Sequence, residues 1–339
     1  MRLIKTEDAV GHVLCHDMTQ IIKDQYKDAR FRKGHVVTEE DIPVLLSMGK
    51  EHLYVWEMTP GMVHENDAAE RLLALCGQEN MIRSGVKEGK IELKAACDGV
   101  FLVDSARLVA VNSQDEVMIA TRKSGMAVRE GDKLAGMRVI PLIIEEEKLR
   151  KAEQAAGDKP LLSLKPYVRK TACIVATGGE VKKGLIKDTF TPVVIDKLKT
   201  YGIETLEVVY SGDGVENVRD AVLTMREKKP DMILCTGGMS VDPDDNTPGG
   251  IKAAGANIIA YGAPVLPGAM FLLGYFDDGM PVMGLPGCVM YAGATVFDLV
   301  LPKIAADVPV TRADLAALGE GGLCLGCKPC YYPICPFGK

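Results

Sequence analysis

Aromatic side chains are scarce in this chain: Phe, Tyr and Trp make up 5% of its 339 residues, with one tryptophan. Its cores must therefore be filled by Val, Ile, Leu and Met. No apolar run reaches the ~18 residues that a membrane-spanning helix needs. The opening residues MRLIKTEDAVGHVLC carry an acid at Glu7 and hold no long apolar stretch, which argues against a signal peptide. Surplus positive charge is missing too. The formal net charge is −6, which argues against a general nucleic-acid or anionic-membrane surface but not against a local basic pocket. A cytoplasmic protein is expected, with no membrane and no nucleic-acid partner.

What is present is ordinary for a globular protein, with 47% hydrophobic and 25% charged residues. The length suits two or three domains. Residues 1–58 read as a mixed α/β region, with Thr38 as N-cap of a helix ending at Gly49 and a strand over His52–Trp56. Residues 59–145 read as a helix (Glu65 to Cys76) followed by a small β-rich, barrel-like domain. Its turn signals fall at Asp98-Gly99, Asn112-Ser113 and Gly131-Asp132. Residues 146–170 read as a helix and linker. From residue 171 to 309 buried strands alternate with helices, beginning with the apolar run Ala172–Ala176 and closing with a helix from Tyr291 to Ile304. That order implies an α/β fold with a parallel three-layer α/β/α sheet. Residues 310–339 form a cysteine-rich tail.

Three loops follow expected strand ends, where open α/β sheets bind ligands. The first runs from Thr177-Gly178-Gly179-Glu180 to Lys187-Asp188-Thr189. The second is Thr236-Gly237-Gly238-Met239-Ser240, continuing through Asp242, Asp244 and Asp245 to Thr247-Pro248. The third is Leu285-Pro286-Gly287-Cys288. Paired glycines allow backbone amides to approach an oxyanion closely, and Thr, Ser and Lys can complete a phosphate site. Taken singly, each Gly-Gly reads as a tight turn; three at matching positions read as one ligand site. Clustered carboxylates repel unless a cation joins them, so Asp242 and Asp245 are candidate Mg²⁺ ligands. The plainer reading is a solvated acidic turn with Asp245 or Thr247 capping the next helix. Asp213, in Ser211-Gly212-Asp213-Gly214, either caps a helix or faces the same crevice.

These loops resemble the molybdopterin-binding domain shared by molybdenum insertases and molybdopterin adenylyltransferases, over roughly 140 residues. Thr177–Glu180 is similar to the family's first loop, with Gly179 where Asp or Asn is common. Thr236–Ser240 with Asp245 is similar to the second, and Leu285–Gly287 to the third. The resemblance implies that Thr177, Gly178, Gly179, Glu180, Lys187, Asp188, Thr236, Gly237, Gly238, Ser240, Pro286 and Gly287 hold molybdopterin. It implies catalytic roles with Mg²⁺ for Asp245 and Asp213. The chain departs from insertases at Cys288-Val289, where they carry Asn-Pro. Two functions follow: an enzyme assisting molybdenum insertion from molybdate, or a non-catalytic carrier, chaperone or sensor serving a molybdoenzyme. The resemblance further implies a homodimer. A third use of such domains, nicotinamide-nucleotide hydrolysis, ranks below both.

The chain closes on Cys324-x2-Cys327-x2-Cys330-x4-Cys335-Pro336. Four thiols so spaced suit one metal centre, either an Fe–S cluster or Zn²⁺. Without metal this tail is expected to be disordered. The six other cysteines are expected to be reduced core residues.

Overall fold

A computed structural model describes residues 2–22, 26–55, 60–240, 242 and 245–339. It divides into two compact units whose sequence segments interleave. One comprises Met1–Ala96, Val103–Arg122 and Gly131–Ser163; the other comprises Cys97–Leu102, Lys123–Glu130 and Leu164–Lys339. Two short pieces of the expected β-rich region therefore belong with the C-terminal unit.

In the first unit, Arg2–Lys5 pairs antiparallel with His52–Val55, and Met18–Ile22 with Tyr26–Phe31. Leu14, Phe31, Leu45 and Leu53 fill a core between them. The helix at Asp41–Ser47 starts later than Thr38 implied, because Asp41 itself accepts the Thr38 amide and hydroxyl, both at 2.8 Å. Trp56 lies outside the described residues. The helix Glu65–Cys76 forms where its apolar stripe falls. A four-stranded antiparallel sheet follows, in the order Met81–Arg83, Ile91–Ala95, Lys133–Val139, Val117–Thr121.

The second unit is built on a six-stranded sheet. Its strands are β1 (Thr171–Thr177), β2 (Glu204–Ser211), β3 (Met232–Thr236), β4 (Asn257–Tyr261), β5 (Leu272–Tyr275) and β6 (Pro281–Leu285), in the order β2-β1-β3-β6-β5-β4. β2, β1, β3 and β6 run parallel. β5 runs against its neighbours on both sides. The sequence reading missed β5, whose Leu272, Leu273 and Gly274 are buried without alternation. Space at Gly274 is tight: a Cβ there would lie 3.0 Å from the Asn257 carbonyl oxygen.

The helices are α1 (Gly179–Lys182), α2 (Phe190–Lys199), α3 (Val215–Glu227), α4 (Thr247–Ala253), α5 (Val296–Ala305) and α6 (Arg312–Ala317). Alternate residues of the central strands face opposite layers. Ala172, Ile174, Leu234 and Met283 pack with Val194 and Leu198 of α2 and with Phe297, Val300 and Leu301 of α5. Cys173, Val175, Ile233 and Val282 pack with Val218, Val222 and Met225 of α3 and Ile251 of α4. This is the three-layer α/β/α arrangement. Cys173 and Cys235 are buried core residues, and burial pushes the Cys235 thiol up to about 12.

The last long helix begins at Val296, not Tyr291. Gly287–Met290 forms a 3₁₀ turn, and Thr295 then caps α5 reciprocally with Asp298. The tail makes specific contacts within its unit. The Cys324 amide donates to the Leu266 carbonyl at 2.8 Å, the Tyr332 hydroxyl to the Asp298 carbonyl at 3.0 Å, and the Gly338 amide to the Gly321 carbonyl at 2.9 Å. Phe337 is 3% exposed and joins the α5-side core. Apolar burial and backbone pairing link this segment to its unit.

Candidate ligand-binding site

The carboxyl ends of four adjacent parallel strands lie along one sheet edge, and each continues into a loop that the sequence singled out. The strands end at Ser211, Thr177, Thr236 and Leu285 in sheet order. Three buried threonines tie the first two glycine loops together. The Thr177 hydroxyl lies 2.9 Å from the Thr236 carbonyl oxygen and 3.1 Å from the Thr247 hydroxyl. The Thr247 hydroxyl donates to the Gly237 carbonyl at 2.9 Å, and the Thr247 amide to the Gly238 carbonyl at 3.2 Å. The sequence placed Thr247 at the end of the second loop and offered it as a possible cap. It occupies the first turn of α4, whose N-cap is Asn246, so neither Thr247 nor Asp245 caps that helix.

Gly237 and Gly238 have φ of +82° and +54°. A Cβ on Gly237 would lie 2.4 Å from the Thr177 carbonyl oxygen, and one on Gly238 would lie 2.7 Å from the Thr247 hydroxyl. The loop therefore needs glycine at both places. Gly178 has φ +134°. Gly179 has a separate reason. Its amide donates to Asp213 Oδ2 at 3.0 Å, and a Cβ would lie 2.7 Å from that oxygen. Asp213 does not cap α3, whose N-cap is Gly214; its carboxylate reaches across to the first loop.

Asp188 sits where that loop enters α2. It accepts the Phe190 and Thr191 amides at 2.9 and 3.0 Å and the Tyr210 hydroxyl at 3.3 Å. Burial alone would raise its pKa, but these hydrogen bonds outweigh burial and hold it below the usual carboxylate range. Tyr210 shifts upward in turn, through desolvation and then the neighbouring Asp188 charge. Glu180, Lys187 and Ser240 are exposed, the last two on their loops. Residues 179–182, expected as loop, form the short helix α1.

The acidic turn follows Ser240. The Asp245 amide donates to the Asp242 carbonyl at 2.9 Å, with Asp242 exposed and Asp245 half-buried; Asp244 lies outside the described residues. The Tyr261 hydroxyl supports this turn, reaching the Met239 and Ser240 carbonyls at 3.0 and 3.3 Å. Burial raises the Tyr261 pKa, and the Asp245 charge raises it further. Gly284, inside β6, has a Cβ position only 2.6 Å from the tip of Met239. Leu285 and Pro286 are buried and Gly287 is exposed, so the third loop emerges at the same edge. The Thr189 hydroxyl meets Met290 Sδ at 3.1 Å, joining the first loop to the third. Nothing in the sequence marked that pair.

The structure gathers the glycine loops, Asp188 and Asp213 into this edge. It does not gather the expected metal ligands into a compact centre: among the described residues, no group of three or more His, Cys, Asp or Glu is placed to hold one ion. Cys324 and Cys335 are half-buried, and Cys327 and Cys330 are exposed. Among the described residues no helix is long and apolar enough to cross a membrane.

Comparison with known proteins places this edge in context. Residues 173–306 match the family described as "probable molybdopterin binding domain", and residues 3–57 match a domain of unknown function. Over 76 residues the chain is 33% identical to a CinA-like protein of Mycobacterium tuberculosis, a match covering 22% of this chain and 18% of that protein. A CinA-like protein of Petrotoga mobilis is 32% identical over 76 residues, again 22% of this chain and 19% of the relative. The chain thus matches less than a fifth of the length of these curated relatives. Among solved structures, the molybdopterin biosynthesis Mog protein from Mycobacterium ulcerans aligns at 19% identity and a TM-score of 0.34, covering 41% of this chain and 97% of that one. The CinA protein from Thermoplasma acidophilum aligns at 18% identity and 0.34, covering 40% and 98%.

Proposed function

From the premise that residues 173–306 form a domain of the molybdopterin-binding family, we propose that this protein acts in molybdenum cofactor biosynthesis. It binds molybdopterin, or its adenylylated form, at the β2-β1-β3-β6 edge and assists Mg²⁺-dependent molybdenum insertion from molybdate. The observation that carries this reading is the glycine pair at positions 237 and 238. Both have positive φ and both are pressed against Thr177 and Thr247, so only glycine fits and the loop turns tightly at the carboxyl end of β3. Such backbone suits a phosphate or pyrophosphate group.

In this reading Thr177–Glu180 and Thr236–Ser240 receive the pterin and its phosphate, Lys187 supplies a cation, and Pro286-Gly287 closes the third side. Asp188 orients the first loop through its two amide bonds. Asp213 fixes Gly179. Asp242 and Asp245 would hold Mg²⁺, since that ion needs only one or two protein carboxylates beside substrate phosphates and water. When bound, the ion would neutralise phosphate charge. The protein would serve a molybdoenzyme downstream and act as a homodimer. The four tail cysteines form a separate metal site.

The competing reading is a non-catalytic carrier of the same ligand, and Cys288-Val289 favours it, because insertases carry Asn-Pro there. Molybdate-dependent release of adenylate from adenylylated molybdopterin separates the two. Wild type should turn over, and Asp245→Asn should slow at least ~10-fold while still binding. Tight binding with no turnover by wild type would overturn insertion and leave the carrier.

A further inference from the structure

A group of titratable side chains that the ligand edge does not use lies in the first unit, around the buried His64. The backbone of His64 is fixed on one side of a junction. Its strand, Met62–His64, pairs with Ile143–Glu145, and His64 is the N-cap of the helix Glu65–Cys76. Its ring reaches to the other side, into the N-terminal region, whose core around Leu14, Phe31 and Leu45 is its own. There His64 Nε2 lies 2.7 Å from the Cys15 carbonyl oxygen. His64 Nδ1 lies 3.2 Å from Lys33 Nζ and 3.2 Å from the Asn66 amide nitrogen. The Thr19 hydroxyl crosses the same junction to Glu88 at 2.7 Å. Cys15 is fully buried but takes no part in the core that holds its neighbour Leu14.

All three partners demand one form of the ring. A carbonyl only accepts, so Nε2 carries the hydrogen. An ammonium and an amide only donate, so Nδ1 keeps its lone pair. A proton on Nδ1 would turn that atom into a donor facing two donors. It would also set an imidazolium 3.2 Å from the Lys33 ammonium. Lys33 is itself tethered to the N-terminal region, because its amide donates to Asp17 Oδ1 at 2.7 Å.

We propose that His64 is an acid-released latch: the neutral ring ties the N-terminal region to the rest of the first unit, and the protonated ring lets it go. The proposal is independent of ligand binding at the sheet edge. Burial is the largest influence on His64 and lowers its pKa from 6.5; the Cys15 carbonyl and Asp67 raise it, Lys33 lowers it, and the net shift is downward. The contribution of the latch is therefore complete above 6.5 and is lost as pH falls through the lower folded value. His16 acts in the same direction. Burial, Lys50 and His64 depress it against the pull of Asp17, and its Nδ1 is buried with no hydrogen-bond partner among the described residues. Glu65 acts in the opposite direction. Burial, Glu88 and Asp17 raise it against Arg138 and Lys33, so its contribution is present below 4.5 and lost as pH rises through the folded value. Burial pushes the Cys15 thiol up, so it stays neutral throughout.

The test uses the full chain between about pH 8 and about pH 5, the span over which histidine titrates. Nitrogen-15 resonances of the five histidines are followed, with His64 assigned by its loss in a variant. Cys15 is labelled with a pyridyl disulfide and read by mass spectrometry, with Cys76, buried in the same unit, as the control. His64 should show the Nε2–H tautomer at neutral pH and titrate below 6.5. Labelling of Cys15 relative to Cys76 should rise as His64 protonates, by about 10-fold for each unit of that depression. His64→Asn can still cap the helix through its side-chain oxygen, and it should lose the pH step. Lys33→Met should move the step toward higher pH, and it decides the matter if the Asn variant fails to fold. Labelling of Cys15 that stays flat with pH overturns the latch, as does an unchanged step in His64→Asn or Lys33→Met. Cys76 labelled in step with Cys15 overturns it too, because the opening is then global. An Nδ1–H tautomer at neutral pH overturns the bonding on which it rests.

Discussion

Thr247 does more at the candidate site than its place in a Thr-Pro helix start suggests. It is 1% exposed, and its hydroxyl links the carbonyl of Gly237 to the hydroxyl of Thr177. Thr247→Val keeps the shape and leaves the Gly237 carbonyl without its hydroxyl donor. It should cost about 1–3 kcal/mol in urea unfolding, and a cost within error of zero would show that the threonine pair is incidental. Gly237→Ala acts through the backbone instead. At φ +82°, with the new methyl 2.4 Å from the Thr177 carbonyl oxygen, the loop must shift. The expected loss is about 1–3 kcal/mol from the strained conformation, together with loss of molybdopterin binding in calorimetry. Full affinity in a folded Gly237→Ala protein would remove this loop from the site.

The elements of the second unit follow from patterns short enough to read directly. Ala172–Ala176 and Met232–Cys235 are continuous apolar runs, and both are central parallel strands. β5 was hidden because Leu272-Leu273-Gly274 gives no alternation, although Asp278-Gly279 marks the turn that joins it to β6. The start of α5 was misplaced because its reciprocal cap, Thr295 with Asp298, lies inside an apolar stretch. The site was legible as loops but not as contacts: Thr177 with Thr247, Asp213 with Gly179 and Thr189 with Met290 join residues far apart in sequence. Asp231 sets the opening of β1 in the same long-range way, accepting the Lys170 amide at 2.6 Å and the Thr171 amide and hydroxyl at 2.9 Å. Burial opposes its ionisation, but these bonds and the nearby Arg169 charge prevail, so its folded pKa lies below the usual value. The unfolded value is ~3.9. Its stabilising contribution should therefore be complete above that pH and fade as pH falls through the lower folded pKa. Urea midpoints measured against pH should show a shallower acid decline for Asp231→Asn than for wild type. Parallel curves would assign the acid sensitivity elsewhere.

At the scale of the whole chain, the second unit is not one continuous piece of sequence. It takes Cys97–Leu102 and Lys123–Glu130 from the middle of the chain. Within it the Tyr167 hydroxyl donates to the Gly99 carbonyl at 2.9 Å, and Phe101 is fully buried. A Cβ on Gly99 would fall 2.3 Å from the Lys165 carbonyl oxygen, so that approach is close. A fragment beginning at Thr171 lacks all of these residues and exposes the surface they cover. It should unfold at a lower urea concentration than the same unit within the full chain. Equal midpoints would show that the inserted segments add nothing to stability. The central claim concerns the edge itself, and it is tested most directly by anaerobic calorimetry of molybdopterin binding to the full-length protein. Saturable binding at one site per chain, abolished by Gly237→Ala in a folded variant, is the expected outcome; no measurable heat of binding to folded wild type, with or without Mg²⁺, would contradict it.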